Sequence, residues 1–159
     1  MMMPAVALLI FFIASTFTSR VEARQPRISE TVFDGAPTNL FYFEDSDIVI
    51  LTDEKTKSVY RSLNAGGSWE LVKSIPKDAV NVVVSHPFDK CTAVAVGKTM
   101  HWITEDCGDS WRSFLTEDEI SILDRRQPVE FHASDSKKML FHTARCNMFG
   151  CEDHKVRAS

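Results

Sequence analysis

The chain has 159 residues, 44% of them hydrophobic and 25% charged, with a formal net charge of −4. This is the composition of an ordinary soluble globular domain, and a mildly acidic surface gives no electrostatic case for nucleic acid. Residues Ala5 to Thr18 form an apolar run broken only by small hydroxyl residues, and Val21 and Ala23 suit a small-residue cleavage site before Arg24. The pattern predicts a secretory signal peptide over residues 1–23; the competing reading, a membrane anchor, meets a run that is short for a span. Nothing after Ala23 is apolar for long enough to cross a bilayer, so the chain is expected in the lumen of the secretory pathway, or outside the cell if it ends at Ser159.

From Thr38 onward the reading is all strand. Asn39 to Phe43 and Asp47 to Leu51 are apolar runs joined by the polar turn Glu44-Asp45-Ser46, and Ser58 to Arg61 and Ser68 to Val72 complete a set of four. A second set comprises Ala79 to Ser85, Cys91 to Val96, Thr99 to Ile103 and Ser110 to Phe114, with a turn at Gly97-Lys98. Val129 to His132 and Met139 to His142 open a third. Between the second and third sets, Thr116 to Gln127 reads as a surface loop, and Thr116-Glu117-Asp118-Glu119 has the look of a helix start.

Within each full set the last two strands are joined by the same eight-residue stretch. Ser62-Leu63-Asn64-Ala65-Gly66-Gly67-Ser68-Trp69 returns as Thr104-Glu105-Asp106-Cys107-Gly108-Asp109-Ser110-Trp111, 42 residues on (104 − 62). Both read S/T-x-D/N-x-G-x-x-W. A hydroxyl, a side-chain acceptor and a glycine two residues apart are the chemistry of a tight turn: the acceptor bonds backbone N–H groups, glycine accepts positive φ, and the indole folds back under the hairpin. The motif resembles the Asp-box (BNR) repeat of β-propellers, and the spacing fits a four-stranded propeller blade. The flanks repeat too: Val82 to Asp89 is echoed by Pro128 to Asp135, with His86 and His132 46 residues apart (132 − 86), and Thr38 to Asp45 is a partial third echo. The expected fold is all-β, a partial β-propeller of roughly two and a half four-stranded blades.

The likeness is more specific than the turn. Asn39 to Ser46, Val59-Tyr60-Arg61-Ser62, His86-Pro87-Phe88-Asp89-Lys90 and His101-Trp102-Ile103-Thr104 resemble the first blades of the VPS10 domain of the sortilin family, nearest to fungal-type vacuolar sorting receptors, over about Thr31 to Cys151. The resemblance implies the N-terminal segment (24–151) of a ten-bladed propeller in a type I membrane receptor. Such a receptor binds soluble hydrolases in the late Golgi and carries them to the prevacuolar endosome, holding ligand inside the propeller tunnel; no ligand-binding residues are assigned on this stretch. The family continues into another strand where residues 152–159 read as a charged, polar tail, so truncation is expected there. Cys146-Asn147-Met148-Phe149-Gly150-Cys151 resembles the family's small disulfide loop, which implies a Cys146–Cys151 bridge. The alternatives are a short secreted binding protein built from the same blades and a truncated product without a function of its own.

Chemistry other than binding finds little support. Asn64 stands where the box usually has aspartate; an amide oxygen accepts the turn hydrogen bonds but is no acid, base or strong metal ligand, which favours a structural role for Asp106 as well. Cys91 and Cys107 would lie nearly opposite across the Gly97-Lys98 turn, so a second bridge is reasonable, against the alternative of two free thiols. No paired C-x-x-C or H-x-x-H spacing supports zinc, and His86, His101, His132 and His142 sit in or at the ends of strands, where structural or solvent-facing roles are expected. Asp-boxes also occur in sialidases and other glycosidases, but Tyr42 and Tyr60 are the only tyrosines and Arg125-Arg126 falls in a predicted loop rather than an anion clamp. No nucleophile triad or phosphate-binding glycine loop is present. The expectation is a non-enzymatic binding module with no cofactor and no metal, with protein or peptide cargo as partner.

Overall fold

Among the described residues, antiparallel strands joined by short turns account for the regular structure, in three successive sheets. The computed structural model describes residues 28–120, 128–147 and 150–159. The predicted signal peptide and Arg125-Arg126 lie outside the described residues. The first sheet is β1 (Pro37–Tyr42), β2 (Val49–Asp53), β3 (Val59–Ser62) and β4 (Glu70–Leu71), each beside the next. The second repeats that order with β5 (Val82–Ser85), β6 (Ala93–Val96), β7 (Met100–Thr104) and β8 (Arg112–Leu115). The third holds β9 (Val129–Phe131), β10 (Met139–Asn147) and β11 (Gly150–Ala158), with β10 in the middle. No helix occurs among the described residues, and none there is long and apolar enough to cross a membrane.

The second sheet lies between the other two, and its sequence shows why. All four residues of Ala93-Val94-Ala95-Val96 are buried, because alternate side chains enter different cores. Ala93 and Ala95 join Ile50 and Val59 of the first sheet and Phe43 in its first loop; Val94 and Val96 join Val129, Met139 and Phe141 of the third. Ala95 pairs with Trp102 on β7, and the small side chain leaves room on that face for the indole, 3% exposed. Facing layers that interlock in this way bury apolar surface that one sheet alone would leave wet.

The far face of the first sheet is covered locally. Phe33 sits edge-on to both Tyr60 (5.3 Å) and Trp69 (5.8 Å). The segment is tied down by Asp53, whose carboxylate accepts the amides of Gly35 and Thr56, each at 2.8 Å. The Thr56 amide is foremost in holding that carboxyl below its ordinary range, against the opposing effect of burial.

Three sequence expectations change. Residues 152–158, read as a polar tail, belong to strand β11, which pairs with β10 along most of its length. Backbone pairing at an edge needs no apolar side chain, so composition does not reveal such a strand. Thr116 to Glu119 does not start a helix: Thr116 donates its amide to the Thr99 carbonyl and Ile120 bridges to Thr143, while residues 121–127 lie outside the described residues. The strand expected over Ser68 to Val72 shrinks to Glu70–Leu71, because the Ser68 amide is engaged by the preceding turn.

Candidate functional site

The two repeated turns carry one hydrogen-bond network atom for atom. In the first, Ser62 Oγ accepts the Gly66 amide at 2.8 Å and donates to Asn64 Oδ1 at 3.0 Å, and Asn64 Oδ1 accepts the Ser68 amide at 2.8 Å. In the second, Thr104 Oγ1 accepts the Gly108 amide at 2.9 Å and donates to Asp106 Oδ1 at 2.8 Å, which accepts the Ser110 amide at 2.9 Å. Each hydroxyl thus relays between a glycine amide and the Asn or Asp acceptor. The amides of Gly67 and Asp109 close the reverse turns onto Asn64 and Asp106.

Two successive residues in each turn are left-handed: Ala65 (φ 55) with Gly66 (φ 88), and Cys107 (φ 56) with Gly108 (φ 79). That is the type I′ geometry that matches strand twist. Only the second residue of each pair is a glycine, so Ala65 carries strain that Gly66 does not. Ala65→Gly is expected to be neutral or to stabilise by up to about 1 kcal/mol, whereas Gly66→Ala should cost about 1–2 kcal/mol. Urea midpoints of the two variants check the pair of signs.

Asp106 is an ionised acceptor here. Burial would raise its pKa, but the Ser110 hydroxyl and amide and the Thr104 hydroxyl together outweigh it and hold the carboxyl below its ordinary range. A carboxylate so engaged is a poor proton donor at neutral pH. Asp106→Asn should cost about 1 kcal/mol or less, since Asn64 already does the same work. A denaturant titration showing a loss above about 2 kcal/mol would mean that the second oxygen, 2.6 Å from Ser110 Oγ, holds the turn.

Each turn is anchored on its own sheet at the same point. The Ala65 amide donates to the Asp47 carbonyl at 2.8 Å, and the Cys107 amide to the Cys91 carbonyl at 2.9 Å. At the second anchor Cys91 and Cys107 are also joined by a disulfide, with Cα atoms 4.1 Å apart. Cys151 is disulfide-bonded as well. Its register partner on β10 is Cys146, whose side chain lies outside the described residues.

The second turn also grips the first sheet. Arg61 Nη1 meets Asp109 Oδ1 at 2.7 Å and a Cβ on Gly108 would come within 3.0 Å of Ile50 Cδ1; beside the turn, Lys90 pairs with Asp45 in the loop between β1 and β2. Trp111, 8% exposed, belongs to the core between the first two sheets. Trp69, its counterpart, is half-buried beneath Phe33. Equivalent residues therefore differ in burial because a sheet covers one and a single ring covers the other.

The joint between the second and third sheets rests on aromatic rings and histidines. His101 on β7 is fully buried; its Nδ1 accepts the Gly97 amide at 3.2 Å, so its Nε2 carries the hydrogen and donates to Thr116 Oγ1 at 2.9 Å. Its ring packs on Phe114 and Phe141. Burial pushes its pKa down to about 4. His86 likewise accepts an amide at Nδ1, from Phe88 at 3.0 Å, and its ring lies 4.5 Å from that of Phe131. His132, its repeat, accepts the Ser134 amide at 3.3 Å. Asp118 binds Lys155 and Arg157 on β11, at 3.0 and 3.1 Å.

The residues weighed for catalysis are scattered. Tyr42 is exposed, with its hydroxyl 3.5 Å from the Ala65 carbonyl, and Tyr60 packs on Phe33. A surface cleft of about 470 Å³ is lined by Phe131, Met139, Leu140 and Ala158 with Glu130 and His132, and Glu130 is its one side-chain carboxylate. Glycosidases use a pair.

Stacked antiparallel sheets with a shared turn network define a class, the all-β repeat proteins. A family model described as Sortilin, neurotensin receptor 3 (Sortilin-Vps10) matches residues 57–158, and the chain belongs to that family. It is similar to proteins named Vacuolar protein sorting/targeting protein 10. The relative from Ajellomyces capsulatus is 38% identical over 143 residues, 89% of this chain and 9% of the relative. That from Blastomyces gilchristii is 38% identical over 141 residues, 87% and 9%, and that from Uncinocarpus reesii 39% over 132 residues, 80% and 9%. The chain thus spans about a tenth of the length of these relatives.

Proposed function

We propose that this chain contributes the first blades of a β-propeller to a vacuolar sorting receptor, which binds soluble hydrolases in the late Golgi and delivers them through the prevacuolar endosome. Residues 24–151 form that segment and face the lumen, after a signal peptide over 1–23. Ser62, Asn64, Gly66 and Trp69, with Thr104, Asp106, Gly108 and Trp111, serve as Asp-box turns that fix blade shape, and Cys91–Cys107 and Cys146–Cys151 are structural bridges. Cargo is held by surface spread over many blades rather than by any cluster in this stretch. The observation that carries the reading is the turn network, repeated 42 residues on (104 − 62) within stacked sheets, in a chain whose relatives are named for vacuolar sorting and targeting.

Disrupting the encoding gene tests the receptor role. Soluble vacuolar hydrolases should then appear in the medium, with normal levels inside the cell restored by the intact gene. Complete vacuolar delivery in the disrupted strain would contradict it.

A further inference from the structure

One pair of side chains holds chemistry that the receptor role leaves unused. His142 on β10 and His154 on β11 face each other across the last strand pair, with His142 Nε2 and His154 Nδ1 3.2 Å apart and the ring planes 7° from parallel. His154 Nε2 lies 3.2 Å from the Cys151 carbonyl oxygen. A carbonyl only accepts, so Nε2 of His154 carries the hydrogen and its Nδ1 presents a lone pair to His142. The backbone creates the meeting: the β10–β11 register slips between Thr143 and Arg145, and Asp153, beside His154, is left-handed at φ 57. Both rings reach solvent, His154 being exposed and His142 half-buried.

His154 has the arrangement of a histidine that ligates a metal. A ligating ring turns one nitrogen inward and fixes its tautomer by donating the other N–H, often to a backbone carbonyl. Two nitrogens each about 2.0–2.1 Å from one tetrahedral ion lie about 3.3 Å apart, close to the 3.2 Å of the pair, so a tilt of the two rings, without separating them, brings both lone pairs onto one ion. Imidazole nitrogens suit zinc and copper, whereas calcium and magnesium demand oxygen.

We propose that His142 and His154 form an open two-histidine site for a divalent transition-metal ion, Cu²⁺ in preference to Zn²⁺, which clamps β11 to β10. Among the described residues no group of three or more His, Cys, Asp or Glu gathers to hold a metal, so water fills the remaining positions. Before binding, His142 Nε2–H donates to His154 Nδ1; on binding, His142 shifts its hydrogen to Nδ1, both inward nitrogens become ligands, and no net proton is released. The order of metals follows from the general rise in affinity to copper among first-row divalent ions.

Titrating the full chain with Cu²⁺ and recording electron paramagnetic resonance tests the site. The expected result is one Cu²⁺ per chain with two equatorial nitrogens. His142→Ala and His154→Ala should each remove one nitrogen and weaken binding at least about tenfold, while His132→Ala, in the turn after β9, changes nothing. Near-native amide hydrogen-exchange protection of β10 and β11 in the two alanine variants separates loss of a ligand from loss of fold. Absence of saturable Cu²⁺ uptake, or uptake unchanged in His154→Ala, would overturn the proposal.

Discussion

Trp111→Ala should destabilise the chain by about 3–5 kcal/mol, and Trp69→Ala by less than half as much. The two residues end the same eight-residue motif, so any difference must come from what covers them. Trp111 lies in the core shared by the first two sheets, with Ile50, Phe43 and Trp102; its removal opens a cavity that interlocked sheets cannot collapse around. Trp69 is half-buried and rests on Phe33, so truncation there loses contacts but leaves water free to enter. Trp111 Nε1 is buried without a hydrogen-bond partner among the described residues, which places its cost toward the lower half of the range. It also makes Trp111→Phe cheap, at about 1.5 kcal/mol or less, because the ring volume is largely kept and the orphan N–H is removed. Guanidinium titrations of the three variants, read as midpoint shifts at constant slope, decide the matter. Equal losses at Trp69 and Trp111 would show that the sheet joint adds nothing to the turn.

Acid should weaken the joint between the second and third sheets before it touches any carboxylate. His101 is neutral in the fold, with its pKa lowered by burial to about 4, against 6.5 in a solvated chain. Its Nδ1 holds the Gly97 amide, and a protonated ring cannot accept. The unfolded chain therefore binds a proton between pH 6.5 and 4 that the folded chain refuses. Stability is fully present above about pH 6.5, declines as the pH falls toward 4, and levels off below it, for a total loss of about 3 kcal/mol. His86, whose pKa burial also lowers against the pull of Asp89, adds a loss of the same sign. Asp53, Asp106, Asp118 and Asp135 all have lowered values, so their contributions begin to be lost only as the pH reaches the ordinary carboxylate range, at the lower edge of this window, and go fully below it. Urea midpoints at several pH values between 7.5 and 5 should slope for the parent chain and slope much less in His101→Asn, where only the His86 share remains. A slope unchanged in that variant would assign the effect elsewhere.

The turns were legible in the sequence because their chemistry is local. A hydroxyl, an amide or carboxylate and a glycine at fixed offsets meet within eight residues, and no distant neighbour is needed to read them. The strands were legible for a related reason: Val49 to Leu51 and Ala93 to Val96 are apolar on both faces and buried on both. What escaped was set by partners. Nothing local marks Ala65 and Cys107 as left-handed, since each position is dictated by the anchor its amide makes on Asp47 or Cys91. The exposed strand β11 holds its place through the backbone of β10, and its Glu, Asp, His, Lys and Arg side chains read as a tail. His154 escaped for the same reason: only the cross-strand register brings it to His142. Trp69 and Trp111 are alike in sequence and differ in surroundings, a distinction that resides in the layer beyond each sheet.

Sequencing the mature transcript through the codon for Ser159 and onward tests the receptor reading most directly. A frame that continues into further S/T-x-D/N-x-G-x-x-W turns at blade spacing, then a cysteine-rich module and a run of about 20 apolar residues, is the expected result. A stop codon directly after Ser159 in every mature message would contradict it, leaving a partial propeller with no tether to carry cargo.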